Sequence, residues 1–151
     1  MNESMEMLIY EMALRVRLFR MMSGSENDMG HLSDREMLIL ELLGMRKNMS
    51  VSEIAALCPT VSGSTISTTI TKLWKDDKLV NKTILPENQR VTTVSLTDEG
   101  KRVVEEIRRA KSSLYGTIAE SLGLSAEEEE IFKKILANAL VFFDEKLKHR
   151  R

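Results

Sequence analysis

The side chains best suited to chemistry in this sequence are hydroxyls and amines that fall together between residues 62 and 75. They are Ser62, Ser64, Thr65, Ser67, Thr68, Thr71, Lys72 and Lys75, with no carboxylate before Asp76. Such side chains donate hydrogen bonds to phosphate oxygens and to the edges of nucleic-acid bases. Ile66, Ile70 and Leu73 recur among them at helical spacing, so the stretch predicts an amphipathic helix. Its polar face is either a nucleic-acid contact or an ordinary solvated surface, and we expect Trp74 in the core rather than as a stacking platform.

The local charge favours a polyanion as partner, although the whole chain is close to neutral. The 151 residues carry a formal net charge of −1. Between Thr60 and Ser95 there are five basic residues against three acidic ones: Lys72, Lys75, Lys78, Lys82 and Arg90 against Asp76, Asp77 and Glu87. A segment with more basic than acidic residues is the modest electrostatic footprint expected of a nucleic-acid-binding surface.

Six helices and one hairpin are predicted to position this segment. Apolar stripes and capping signals place the helices at residues 2–20, 33–44, 50–58, 62–78, 97–122 and from 125 onward, with loop-favouring residues at 23–28. We expect the second helix to be deeply buried, because it is apolar nearly all round. The β-branched runs Val80–Leu85 and Val91–Leu96 predict the only strands, joined by a turn at residues 86–89.

Several function classes are excluded by what the sequence lacks. A single cysteine, Cys58, forms no intramolecular disulfide, and the two histidines, His31 and His149, lie too far apart in sequence to suggest a zinc site. No apolar run is long enough to span a membrane, so we expect a cytoplasmic protein. No catalytic constellation and no glycine-rich phosphate loop is present. We therefore expect a protein that is not an enzyme and binds neither a metal nor a cofactor.

A short helix, a turn, a second helix and a β-hairpin form the layout of a winged helix. Six sequence pieces in this order resemble the MarR family of transcriptional regulators. They are Leu32-Ser33-Asp34-Arg35-Glu36, Ser50-Val51-Ser52-Glu53-Ile54-Ala55, Ser64-Thr65-Ile66-Ser67, Leu79-Val80, Pro86 to Arg90, and Val94-Ser95-Leu96-Thr97-Asp98-Glu99-Gly100. The flanking helices extend the resemblance over nearly the whole chain.

The resemblance implies a mainly α fold with a small β-hairpin wing, in which a winged helix-turn-helix lobe is joined to long dimerisation helices. Residues 1–151 then form one domain, with the DNA-binding lobe at 32–100 and the dimerisation helices at 1–22 and 101–151. The resemblance further implies a homodimer that binds a pseudo-palindromic operator in double-stranded DNA through its fourth helix. We expect repression of transcription that a small lipophilic or phenolic effector relieves.

The wing departs from the family pattern. The family usually reads Asp-Pro-x-Asp-Arg-Arg where this chain has Leu85-Pro86-Glu87-Asn88-Gln89-Arg90. The resemblance places Arg90 in or beside the minor groove, and Asn88 where a carboxylate normally braces that arginine. An amide accepts the same hydrogen bond without charge assistance. The predicted DNA-binding set is therefore the eight residues named at the outset together with Lys82, Asn88, Gln89 and Arg90.

Three alternatives concern residues outside this set. All ten methionines lie within the first 49 residues, where they either fill a dimer core or line an effector pocket. Cys58 is either an inert core thiol or a redox sensor, and no Lys, Arg or His stands beside it to activate it. We expect His31 at the surface. The competing function is a dimeric winged helix that binds a protein or a ligand and has little specific affinity for DNA.

Overall fold

The computed structural model describes residues 2–23 and 31–148, and within them the predicted mainly α architecture with a small sheet is confirmed. The helices are α1 (Met5–Ser23), α2 (Asp34–Arg46), α3 (Val51–Leu57), α4 (Gly63–Lys75), α5 (Asp98–Ser121) and α6 (Ala126–Lys148), and the strands are β1 (Asn48–Ser50), β2 (Val80–Leu85) and β3 (Asn88–Leu96). Ser23 belongs to α1, whereas the rest of the loop expected at 23–28, and His149, lie outside the described residues.

Side-chain caps start the helices where the sequence predicts them. Ser33 Oγ accepts from the backbone N–H of Glu36 at 3.2 Å, and the Glu36 carboxylate accepts from the backbone N–H of Ser33 at 3.3 Å. Ser125 and Glu128 form the same reciprocal pair at the start of α6. Ser50 and Thr97 each accept from the N–H three residues on. Each cap satisfies N–H groups that have no partner within the helix.

The sheet has three strands rather than the two that the sequence predicts. Its order is β1-β3-β2 with antiparallel pairing, and β1 lies opposite residues 93–95 of β3. The turn of the hairpin is also shorter than expected, because only Pro86 and Glu87 form it and Asn88 already belongs to β3. The hairpin of β2 and β3, residues 80–96, is the predicted wing.

The core of the lobe draws on every element from α2 to the first half of α5. Its buried side chains are Leu32, Ile39, Leu40, Leu43, Met49, Ile54, Cys58, Ile66, Ile70, Leu73, Leu79, Val80, Val94, Val103, Val104 and Ile107. The core position expected for Cys58 is confirmed, as is the exposure of His31. The expected deep burial of α2 holds for the face that carries Ile39, Leu40 and Leu43, whereas Leu38 on the outer face is 45% exposed.

The first turn of α5 is fastened to the loop that follows α4. Thr97 donates its backbone N–H to the carbonyl of Leu79 at 3.0 Å and its hydroxyl to the carbonyl of Lys78 at 2.9 Å. A Cβ at Gly100 would lie 2.0 Å from the same Leu79 oxygen, so only glycine allows this approach. The start of α5 is thus part of the lobe.

Most apolar side chains of α1 and α6, and those of Tyr115 and Leu122 near the end of α5, are exposed in the described chain. No residue of α6 is buried, and the large apolar side chains of α1 are at least partly exposed. The uncovered apolar side chains on α6 include Ile131, Phe132, Ile135, Leu136, Phe142 and Phe143. Isolated helices gain little stability in water without an apolar face to bury, so this surface requires a covering layer.

Candidate nucleic-acid interface

Helix α4 carries the predicted polar stripe on the face opposite its core residues. Ile66, Ile70 and Leu73 are buried beneath the helix. The outward stripe consists of Ser64, Ser67, Thr68, Thr71 and Lys75, which recur at intervals of three and four residues and are exposed or half-buried. Residues 58–62 form the turn between α3 and the N-terminus of α4. The outward stripe of α4 is therefore one continuous polar surface, as the sequence predicts.

The threonine hydroxyls of the outward stripe donate hydrogen bonds to backbone carbonyls of α4. Thr68 Oγ1 donates to the carbonyl of Ser64 at 2.8 Å, and Thr71 Oγ1 donates to the carbonyl of Ser67 at 2.9 Å. The sequence led us to expect these hydroxyls as donors to nucleic acid. In this structure they instead offer an acceptor oxygen and a methyl group, which suit base amino groups and thymine methyls.

The N-terminus of α4 is electrostatically distinct from the other helix starts. Ser62 caps it, accepting from the backbone N–H of Thr65 at 3.2 Å and lying 2.7 Å from the Thr65 hydroxyl. Among the described helices, α4 alone has no acidic residue in its first turn. The partial positive charge of a helix N-terminus favours a nearby anion, and no side chain of this first turn neutralises it.

Beyond its turn, the wing presents Asn88, Gln89 and Arg90 to solvent. The pairing of β2 with β3 shifts register between Ile84 and Leu85, so that residues 89–91 bulge out of the ladder. Asn88 Oδ1 accepts from the backbone N–H of Arg90 at 3.1 Å. The amide thus braces the main chain of Arg90, whereas we expected it to hold the guanidinium.

Trp74 lies between α4 and the wing, and the expectation that it is a core residue is wrong. Its side chain is 39% exposed. The Nζ atom of Lys82 on β2 lies 5.0 Å from the centre of the indole ring, and that of Lys75 lies 5.4 Å from it. A cation over an aromatic face is worth about 0.5–1 kcal/mol at an exposed site. Both lysines are therefore held near the edge of the helix that faces the wing.

Lys72 occupies the opposite edge of α4 and is already paired. Its Nζ atom lies 3.1 Å from Glu36 Oε1 and 3.1 Å from Asp77 Oδ2. Hydrogen bonds to Asp77 and then to Glu36 raise the pKa of the Lys72 ammonium above its ordinary value, so the side chain is charged at neutral pH. The sequence identified Glu36 as a helix cap but gave no sign of this second role, because the contact joins residues far apart in the chain.

Two grooves border these elements. The larger, about 530 Å³, lies between the start of α3, helix α4 and the wing, and its lining includes Ser52, Ser67, Lys82 and Arg90. The smaller, about 260 Å³, lies beside the first turns of α5, with a lining that includes His31, Asp77, Glu99 and Arg102. The larger groove therefore brings Ser67 of the helix and two basic residues of the wing to one concave surface.

Two other kinds of site are absent from the described ranges 2–23 and 31–148. No group of three or more histidine, cysteine or carboxylate side chains there could hold a metal ion. No helix in those ranges is both long and apolar enough to cross a bilayer.

Comparison with known proteins gives a match at the level of fold. No family model and no curated protein matches the sequence. Among solved structures, the apo form of wild-type MarR from E. coli aligns with a TM-score of 0.68 at 15% identity, covering 93% of this chain and 98% of that one. FabT from Streptococcus pneumoniae, solved in complex with DNA, aligns with a TM-score of 0.65 at 18% identity, covering 93% and 96%.

A third similar structure is that of a protein whose DNA binding is regulated by a small molecule. BpsR from Bordetella bronchiseptica, whose DNA binding is described as regulated by 6-hydroxynicotinic acid, aligns with a TM-score of 0.58 at 19% identity, covering 87% of this chain and 98% of that one. The three alignments cover 87–93% of this chain, so the similarity extends beyond the lobe into the long helices. The chain therefore has the fold of the MarR-type winged-helix regulators.

Proposed function

We propose that the protein is a dimeric transcriptional regulator that binds a specific site in double-stranded DNA. The observation that carries the proposal is the continuous surface formed by the outward stripe of α4, its uncompensated N-terminus and the basic side chains of the wing. Helix α4 is the element that a winged helix places in the major groove, while the wing lies along the neighbouring backbone. The fold shared with a protein solved in complex with DNA supports this assignment.

The proposed contacts follow from where each side chain lies. Ser64, Ser67, Thr68 and Thr71 face the base edges from the middle of α4, and Lys75 meets the backbone at its end. Ser62 and Thr65 lie at the N-terminus of α4, where the Thr65 N–H already donates to Ser62 and the N–H groups of Gly63 and Ser64 remain for a phosphate. Because α4 carries no arginine, the bidentate readout of guanine by an arginine side chain is absent from this helix. Specificity then depends on hydroxyl oxygens, methyl groups, bridging water and DNA shape.

The wing supplies the second contact. Arg90 leaves the bulged segment of β3 with no carboxylate partner among the described residues, so its guanidinium is available to the minor groove or to phosphate. Lys82, Asn88 and Gln89 extend this surface toward the backbone. An arginine in a narrow minor groove reads the shape of DNA rather than individual base edges.

A second copy of this chain is the covering layer that the long helices require. Most large apolar side chains of α1 and α6, together with Tyr115 and Leu122 of α5, are exposed in one chain, and a contiguous exposed apolar surface of this kind marks an interaction site. A two-fold axis through these helices places two α4 helices on one face. Their spacing then matches one helical turn of DNA or a multiple of it, about 34 Å for one turn.

Control of DNA binding by a small lipophilic or phenolic effector is part of the proposal. The related fold of BpsR, with its regulation by 6-hydroxynicotinic acid, supports it. An effector acts by binding one arrangement of the two lobes more tightly than another, which shifts the population away from the spacing that fits the operator. Repression relieved in this way is the outcome we propose for the regulated gene.

The experiment is fluorescence anisotropy of the purified protein on a duplex from its own upstream intergenic region and on a shuffled duplex, across a salt series. We expect tighter binding to the first duplex, with affinity that falls steeply with salt. The slope of log affinity against log salt reflects about 0.9 per phosphate contacted. Arg90→Ala and Lys75→Met should lower both the affinity and the slope.

The matched control is Lys133→Met, which removes an exposed lysine paired with Glu129 on α6, away from the proposed surface. It should leave both quantities unchanged. Equal binding of both duplexes that is indifferent to Arg90→Ala contradicts the proposal. That result favours the competing function, a dimeric winged helix that binds a protein or a ligand.

A further inference from the structure

Glu36 is the one charged residue that is buried in the described part of the chain. It is 7% exposed, although α2 carries it in the first turn, at the edge of the lobe. Its two carboxylate oxygens have different partners. Oε2 accepts from the backbone N–H of Ser33 to complete the helix cap, and Oε1 lies 3.1 Å from the ammonium of Lys72 on α4.

Lys72 has a second anchor just beyond the C-terminal end of α4. Asp77 follows the last turn of the helix, and its Oδ2 atom lies 3.1 Å from the same ammonium, with only 19% of its side chain exposed. Asp77 also closes the helix through its backbone, because its N–H donates to the carbonyl of Lys72 at 3.1 Å. Lys72 therefore joins three elements: the start of α2, the last turn of α4 and the loop that leads to β2.

This arrangement competes with a DNA contact by the same side chain. A lysine that moves toward a phosphate must leave two carboxylates, and a buried carboxylate that loses its cation keeps the cost of desolvation without compensation. Lys75 differs in this respect, because it forms no ion pair within the described residues and lies on the outward stripe. Two lysines only three residues apart thus have different surroundings.

We propose that Lys72 is a positioning residue, which sets the orientation of α4 by joining it to Glu36 and Asp77, and that it does not contact DNA phosphate. The inference rests on the proposed function, since orientation matters only if α4 reads DNA. It also changes the sequence-based expectation for Lys72, which counted it with the DNA-binding residues. A small rotation of α4 displaces the whole stripe from the base edges, so the pairs of Lys72 contribute to specificity without touching the operator.

The test compares Lys72→Met with Lys75→Met by anisotropy on the specific and shuffled duplexes across salt. For Lys75→Met we expect the salt slope to fall by about 0.9 for each phosphate contact removed. For Lys72→Met we expect an unchanged slope and an unchanged affinity for shuffled DNA, with a loss of preference for the specific duplex. Lys72→Arg retains a cation for both carboxylates and should restore that preference.

Failure of the inference and failure of the proposed function give different results. Absence of specific binding by the wild-type protein rejects the proposed function. Specific binding by the wild type, with Lys72→Met lowering the salt slope as Lys75→Met does, rejects the positioning role alone.

A second measurement requires no DNA. The free energies of unfolding of Lys72→Met, Glu36→Gln and the double variant form a cycle that isolates the pair. Glutamine still serves as a capping-box residue, so Glu36→Gln removes the charge while keeping the cap. We expect the double variant to be less destabilised than the sum of the single variants. Additive effects would show that the pair is not formed in solution and would overturn the inference.

Discussion

Truncation of Ile135 on α6 tests whether a second copy of the chain covers the exposed helices. Ile135 is 56% exposed in a single chain, and full burial of such a side chain is worth about 1.5–3 kcal/mol relative to exposure. About half of that gain remains for the partner to supply, and a two-fold interface counts each position twice. Ile135→Ala should therefore weaken the dimer by about 2–3 kcal/mol, which corresponds to about 30- to 150-fold in the dissociation constant.

The assay is urea unfolding at several protein concentrations over a hundredfold range. The wild-type midpoint should rise with concentration, because a dimer that unfolds to monomers is stabilised by mass action. Val141→Ala is the matched control, since Val141 is 63% exposed but lies on the opposite side of α6 from the stripe that contains Ile135. It should cost much less than Ile135→Ala. A wild-type midpoint that does not depend on protein concentration would show that no second copy covers these helices.

Two further predictions concern stability. Gly100→Ala places a Cβ 2.0 Å from the carbonyl oxygen of Leu79 and should cost about 1–3 kcal/mol or more in unfolding free energy. Gly116→Ala, in the open part of the same helix, should be neutral or stabilising by up to about 1 kcal/mol, and equal thermal shifts for both would contradict the packing argument. Hydrogen bonds from the backbone N–H and side chain of Ser125 lower the pKa of the Glu128 carboxyl. Its contribution to stability is therefore complete above its unfolded pKa and is lost as pH falls through the lower folded value. Urea midpoints of the wild type between about pH 5 and pH 3 should show this loss, and Glu128→Gln should show less of it.

The helix starts were predictable because their signals are local. A serine or threonine followed within three residues by a glutamate, just before a helical apolar stripe, can be recognised without the rest of the chain. The caps at Ser33, Ser50, Thr97 and Ser125 accordingly lie where the spacing placed them. The ends of helices have weaker signals, so α2 extends two residues beyond the predicted Gly44 and α4 ends at Lys75, before the predicted 77–78.

Strand β1 shows what local patterns leave out. Asn48, Met49 and Ser50 have no alternation long enough to predict a strand, and their extended conformation is fixed by pairing with residues 93–95 of β3. Met49 is then buried in the core beneath this pairing. Tertiary contact, rather than β propensity, decides the structure of such a short segment.

The candidate interface was predicted in its location but not in the roles of its members. Helical periodicity placed the stripe on α4 correctly, yet residue type alone suggested a buried Trp74 and a free Lys72. Both lie on the flanks of α4, where they contact residues of other elements. Lys82 lies over the Trp74 ring, and Glu36 forms an ion pair with Lys72. Such pairings depend on how elements pack, and neither charge counts nor hydrophobic spacing records them.

Selection of binding sites from a pool of duplexes with randomised sequence tests whether the protein is a dimeric, sequence-specific regulator, because the pool contains every candidate operator at once. We expect enrichment of an inverted repeat whose half-site centres are separated by one helical turn, about 34 Å, or by a multiple of it. Enrichment should weaken for Arg90→Ala and persist for Lys133→Met. A wild-type protein that enriches no sequence, or only a single unrepeated half-site, would contradict the proposal of a dimeric, sequence-specific regulator.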